Sequence, residues 1–193
     1  MFIERLDELT EKVRDCVYTT QEGVLEPDDA LTHAQNLLQT ANHIYVIGNG
    51  GSAGIASHFC TDLLKTLSLP ALTFSDSNIL TCFANDYGYE EVYRGPLLRH
   101  LQSRDLLVAI SSSGQSENIL RACQAAHDRK ASIITLSGFV ENNPLRSYGN
   151  LNFWIDSQDY GIVETAHFFL LHTLIDSLSS CKEKSRRLAK LVH

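Results

Sequence analysis

The sequence predicts an α/β fold: a doubly wound, five-stranded parallel sheet with a helical extension at its N-terminus. Three observations predict it. Five short apolar, β-rich runs ("HIYVIGNGG", "ALTFSDS", "DLLVAISSSG", "SIITLSG" and "LNFWIDS") each run into Gly, Ser or Asp. Stretches of helical period separate them, as right-handed βαβ crossovers require. The runs are also apolar at successive positions, as strands are when helices cover both faces of a sheet.

The elements follow in order. Residues 2–40 read as helical, because Phe2, Ile3, Leu6, Leu9, Val13 and Val17 recur at three and four. A turn at "EGVLEPDD" separates a second helix around 28–41. With no sheet of their own, these helices are expected to pack on the main domain or on another subunit. Further helices are expected over 53–67, 77–101 in pieces, 116–129, briefly near 143–148, and from about 160 to 181. There is no linker, repeat or low-complexity segment. The chain therefore reads as one domain over 1–193, with N-terminal helices (1–41), an α/β core (42–181) and a basic tail (182–193). The tail's "KEKSRRLAK" suits the negative end of the last helix.

Composition narrows the function. With 16 Lys and Arg against 23 Asp and Glu, the formal charge is −7, which argues against nucleic acid as a partner. A small anionic substrate stays open, since its pocket can be locally positive. Five scattered cysteines (16, 60, 82, 123 and 181) form no CxxC, so reduced thiols in a cytoplasm are expected. "MFIERLDELTEKV" is charged from residue 4 and carries no signal core, and no run is long enough to cross a bilayer. The expected location is cytoplasmic, with no membrane partner.

In such sheets ligands sit beyond the carboxyl ends of the strands. One such end is "YVIGNGGSAGIASHFCTDLL". Gly48, Gly50 and Gly51 permit a tight turn, and the next helix points its N–H groups and positive dipole end at the loop. By itself this is a weak phosphate signal. Gly48-x-Gly50-x-x-Ala53, with Asp76 downstream, also resembles a dinucleotide fingerprint and leaves a nicotinamide oxidoreductase as a remote alternative. No Lys follows the glycines, so it is not a Walker A loop. The second end, "AISSSGQSENIL", discriminates. Ser111, Ser112, Ser113 and Ser116 place four hydroxyls beside another helix start, where a phosphate monoester finds donors. Ser113 or Ser116 could simply cap that helix, but a cap needs one serine rather than four.

"GNGGSA", "FANDYGYEEVY" and "AISSSGQSENI", in this order of elements, resemble the sugar isomerase (SIS) domain family, most closely its phosphoheptose isomerases. The resemblance covers nearly the whole chain. It implies a flavodoxin-like sheet, a phosphosugar ligand such as sedoheptulose 7-phosphate, no nucleotide cofactor, a homotetramer and active sites shared between subunits. The phosphate-holding serines carried over are Ser111, Ser112, Ser113 and Ser116. The sugar-lining residues are Asn49, Gly50, Gly51, Ser52, Asn85 and Asp86.

Aldose–ketose isomerisation needs a base for the carbon-bound proton, an acid for the oxygen and stabilisation of the enediolate. His58 and Asp62 are spaced i, i+4 and share a helix face. In "YGIVETAHFFLLHTLID", Glu164 and His172 lie within roughly 80° of each other and roughly 12 Å apart along the axis. They could flank a substrate or approach a common ion. His167 points about 140° away from His172 and reads as a core histidine, as Trp154 reads as core. The resemblance implies a zinc-binding set of His, Glu, Gln and His at the positions of His58, Asp62, Glu164 and His172. Two of these depart: Asp62 stands for Glu, and Glu164 for Gln. Asp is shorter by roughly 1.5 Å, which puts its reach to the proton in doubt, while Glu164 adds a carboxylate that completes a nitrogen and oxygen ligand set; the expectation is a firmer metal site, with His172 as acid and Asp62 or Glu164 as base. A non-catalytic phosphosugar-binding or protein-interaction module is the alternative; retention of His172 favours the enzyme.

Overall fold

The computed structural model describes residues 2–191, with side chains described through Ser180. The elements run α1 (Phe2–Arg14), β1 (Val17–Thr20), β2 (Gly23–Leu25), α2 (Pro27–Thr40), β3 (Ile44–Gly48), α3 (Gly51–Leu67), β4 (Ala71–Leu72) and α4 (Ser77–Tyr87). A 3₁₀ turn over Tyr89–Glu91 leads to α5 (Arg94–His100), β5 (Leu106–Ser111), α6 (Glu117–Asp128) and β6 (Ser132–Ser137). A second 3₁₀ turn, Pro144–Ser147, precedes β7 (Leu151–Trp154) and α7 (Tyr160–Leu191).

The sheet has seven strands in the order β2-β1-β7-β6-β5-β3-β4. The five expected parallel strands are present, and β3, β5 and β6 are buried along almost their whole length. The correction lies at one edge. Val17–Thr20 and Gly23–Leu25 form a hairpin, and β1 pairs antiparallel with β7. Val17 fitted a helical stripe by spacing, but "VYTT" is β-branched and aromatic, and an open edge at β7 was there to take it. The N-terminal segment is thus helix, hairpin, helix, and the sheet has seven strands instead of five.

Helices cover both faces, as a doubly wound sheet requires. On one face α2, α3 and α7 bury Ala30, Ala34, Leu38, Phe59, Leu63, Leu171 and Leu174 against β3, β5 and β7. On the other, α5 and α6 bury Leu97, Ile119, Ala122 and Cys123. Leu9 and Val13 of α1 reach the first cluster, while Phe2, Ile3 and Leu6 stay exposed. Arg5 fastens α1 to the start of α7 through a forked contact with Asp159 at 3.0 and 3.1 Å. Asp159 Oδ1 also accepts from the N–H of Ile162, so it caps α7. The last helix runs ten residues past its expected end near 181, to Leu191. The side chains of the basic run 182–190 lie outside the described residues. No helix among the described residues is long and apolar enough to cross a membrane.

Candidate functional site

Strand order reverses between β3 and β5, which pair in parallel with Gly48 opposite Ile110. Here α3 departs over one face and α6 over the other, which opens the crevice where such sheets bind ligands. The glycine loop turns tightly. A Cβ on Gly48 would lie 2.6 Å from the backbone oxygen of Ser52, and Gly50 has φ +53°.

Two tips that could have been separate are tied together. Asn49 Nδ2 donates to Asn118 Oδ1 at 2.9 Å, and Asn118 Nδ2 donates back to Asn49 Oδ1 at 2.9 Å. The Tyr89 hydroxyl adds a bond to Asn49 Oδ1 at 3.2 Å, and the Tyr93 hydroxyl donates to the Gly48 carbonyl. Asn118 is buried in the first turn of α6, so this amide pair joins the glycine loop to the serine-loop helix.

In the serine loop, Gly114 turns with φ +62°, and a Cβ there would collide with Asn143 Oδ1. Ser113 Oγ accepts from the N–H of Gln115 at 3.2 Å, which is a local turn bond. Ser116 sits at the N-cap of α6, yet its hydroxyl makes no bond to that helix and instead meets Ser111 Oγ at 3.4 Å. The Ser112 hydroxyl is buried, 4% exposed for the residue, and has no protein partner. A helix start with uncommitted hydroxyls and a buried orphan donor is what an incoming phosphoryl group satisfies. The capping interpretation of these serines therefore finds no side-chain bond to support it.

On the sheet face they cover, α3 and α7 run side by side and line a groove of about 410 Å³ with Gly51, Gly54, Ile55, His58, Glu164, Thr165 and Phe168. Beside it three ligating groups converge. Asp62 Oδ2 lies 3.2 Å from His58 Nε2 and 3.6 Å from His172 Nδ1. The two imidazole centroids are 5.0 Å apart, and Phe168 meets both rings edge-on. Asp62 is thus a half-buried carboxylate between two imidazoles. One ligating atom from each of the three lies within 4.8 Å of the others, and two imidazoles with one carboxylate form a donor set that fits zinc. The expected fourth ligand does not join them. Glu164 lies against Gly51, at the start of α3, where any Cβ would strike its carboxylate.

The remaining expectations resolve individually. Ser52 is buried in the first turn of α3. Asn85 and Asp86 sit exposed in the last turn of α4, bonded to each other at 2.8 Å, two residues before the turn that carries Tyr89. Asp76 caps α4, accepting from the N–H groups of Asn78 and Ile79, which explains it without a ribose. His167 is fully buried, with Nε2 3.1 Å from the Ser137 carbonyl, and burial lowers its pKa to about 4. Trp154 is buried in β7, beneath the Arg146 guanidinium. Asn118, Tyr89, Tyr93 and Asn143 were missed. A polar residue on the buried face of α6 was the available signal for Asn118, and the Tyr89/Tyr93 spacing of four was the signal for the tyrosines.

Residues 5–138 match the SIS domain family. A protein of Shewanella sp. (strain W3-18-1) described as a phosphoheptose isomerase is 32% identical over 188 residues, covering 91% of this chain and 94% of its own. Its counterpart from Shewanella sediminis is 31% identical, with the same coverage. Among solved structures, a phosphoheptose isomerase from Francisella tularensis superimposes with a TM-score of 0.79 at 25% identity, over 93% of this chain and 95% of that one. One from Neisseria gonorrhoeae does so with a TM-score of 0.79 at 24% identity, over 92% and 97%, and speaks for the fold alone.

Proposed function

The chain belongs to the SIS domain family, and from that premise we propose that it is a phosphosugar isomerase interconverting sedoheptulose 7-phosphate and its aldose. One arrangement supports the reading: the serine loop with its orphan Ser112 hydroxyl is tied to the glycine loop through Asn118 and Asn49, and the helix that leaves that glycine loop carries His58 and Asp62 of the cluster with His172. An anion grip at one strand tip and an acid–base cluster on the helix that leaves the neighbouring tip suit a linear sugar held at one end and altered at the other.

In this reading the phosphate binds at the start of α6, with hydroxyls from Ser111, Ser112 and Ser116 and backbone N–H groups as donors. The carbon chain passes over Gly50 and Gly51 into the α3–α7 groove. Asp62 takes the proton from the carbon beside the carbonyl, and His172 serves the oxygen, so an enediolate forms and collapses with the carbonyl moved by one carbon. His58 and His172 hold Asp62 from two sides and fix its direction. Glu164 lines the same groove as His58 but lies against Gly51 and does not join the His58–Asp62–His172 cluster, so this reading gives it no part in the proton transfer.

His58, Asp62 and His172 would hold a zinc ion. When bound, it would polarise the carbonyl as a Lewis acid. The exposed Phe2, Ile3 and Leu6 of α1 and Phe169 of α7 support a homo-oligomer, which we take to be a tetramer whose subunits share sites. Light scattering reads that state directly.

The test of function is product identification by NMR with a panel of five-, six- and seven-carbon ketose phosphates. Conversion of the seven-carbon ester, and fastest conversion of it, is the expected result. Thermal stabilisation by these esters without turnover would identify a binding module instead.

A further inference from the structure

Two helix starts face the crevice, and each could attract a phosphoryl group. The α6 start has spare hydroxyls, and the acidic residue of its first turn is neutralised: Glu117 is held by Arg121 Nε at 2.7 Å. The α3 start has no side-chain cap and no acidic residue in its own first turn. What faces it is Glu164, reaching across from α7 to lie against Gly51, in space that only glycine leaves free. Among the described residues Glu164 has no hydrogen-bond or ion-pair partner. It is half-buried and is the one carboxylate lining the described groove. Its carboxylate occupies the positive end of α3, the place a phosphoryl group would otherwise take.

We propose that Glu164 is a specificity residue: its charge keeps phosphoryl groups out of the α3–α7 groove. The sugar then lies in a single direction, with phosphate on the serine loop and its neutral, hydroxylated end in the groove. Substrates phosphorylated at both ends are rejected. The inference rests on the reading that the serine loop takes the phosphate. Its physical basis is like-charge repulsion across a half-buried groove, where an effective dielectric near 20 lets charges some 10 Å apart still change an affinity by about tenfold. Sugar hydroxyls lose nothing by this arrangement, because a carboxylate accepts hydrogen bonds from them.

The experiment is equilibrium titration of the whole protein with sedoheptulose 7-phosphate and with sedoheptulose 1,7-bisphosphate, for the native chain, Glu164→Gln and Glu164→Asp. The esters are first brought to equilibrium with a trace of enzyme, so the calorimetric titration reads binding of the substrate–product mixture and carries no heat of isomerisation. Glu164→Gln should raise the affinity for the bisphosphate relative to the monophosphate about tenfold, as removal of one like charge at this range predicts. Glu164→Asp keeps the charge and should keep the native ratio. A ratio unchanged in Glu164→Gln, with the monophosphate still bound, overturns the filter and leaves the isomerase reading standing. Failure of the native protein to bind the monophosphate overturns both.

Discussion

The glycine loop after β3 and the serine loop after β5 leave the carboxyl end of the sheet beside paired residues, Gly48 and Ile110. The first has its Gly48 carbonyl and Asn49 side chain fastened: Asn49 is held by Asn118 and Tyr89, and Gly48 by Tyr93. The second keeps an orphan hydroxyl at Ser112 and an N-cap serine that does not cap. On the proposed reading the difference separates two jobs. A loop that only has to let a carbon chain pass can satisfy its polar groups within the protein. A loop that must grip a phosphoryl group has to hold donors in reserve, at a cost in stability.

Substitutions on the two sides should therefore fail in different ways. The largest effect belongs to the α3–α7 side. His172→Ala is expected to lower kcat about 10²- to 10⁴-fold, as loss of an acid–base group does, with KM changed little. Steady-state kinetics within tenfold of the native enzyme would break the comparison. Next comes the serine loop. Ser112→Ala should raise KM about 10- to 100-fold, the worth of one hydrogen bond to a charged group, with kcat nearly unchanged. Because the hydroxyl has no partner in the folded protein, thermal stability should hold or rise slightly. A fall in both stability and kcat would make Ser112 a structural residue.

The smallest effect at neutral pH belongs to His167, beneath the tip of β6. Its folded pKa of about 4 lies below the unfolded value near 6.5, because burial disfavours the charged ring. Between those values the unfolded chain binds more protons, so this contribution to stability is complete above pH 6.5 and is lost as pH falls toward 4. Denaturant unfolding should show about 2 kcal/mol lost to this group between pH 7 and pH 5. Glu, Asp and the other histidines titrate in both proteins, so the comparison is with His167→Gln, which should lack that component.

Much of this was legible in the chain. Apolar runs ending in Gly-rich and Ser-rich turns placed five parallel strands and both loops, because local periodicity and turn chemistry depend on near neighbours. The helix faces carrying His58 with Asp62 and Glu164 with His172 followed from spacing along each helix. The hairpin at Val17–Leu25 was not legible, because four residues of β propensity become a strand only when an edge such as β7 waits for them. Nor was the reciprocal amide pair of Asn49 and Asn118, which joins residues 69 apart in sequence.

The sequence by itself determined the doubly wound sheet, the anion-seeking helix starts and which helices carry imidazole and carboxylate, since backbone periodicity and glycine conformational freedom are properties of short segments. Only the tertiary structure decided which of four candidate ligands meet. Asp62 joins His58 and His172, while Glu164 is drawn aside to Gly51. The physical reason is that helix spacing fixes a side chain's direction about its own axis, whereas the distance between groups on two helices depends on how those helices cross and where a missing Cβ leaves room.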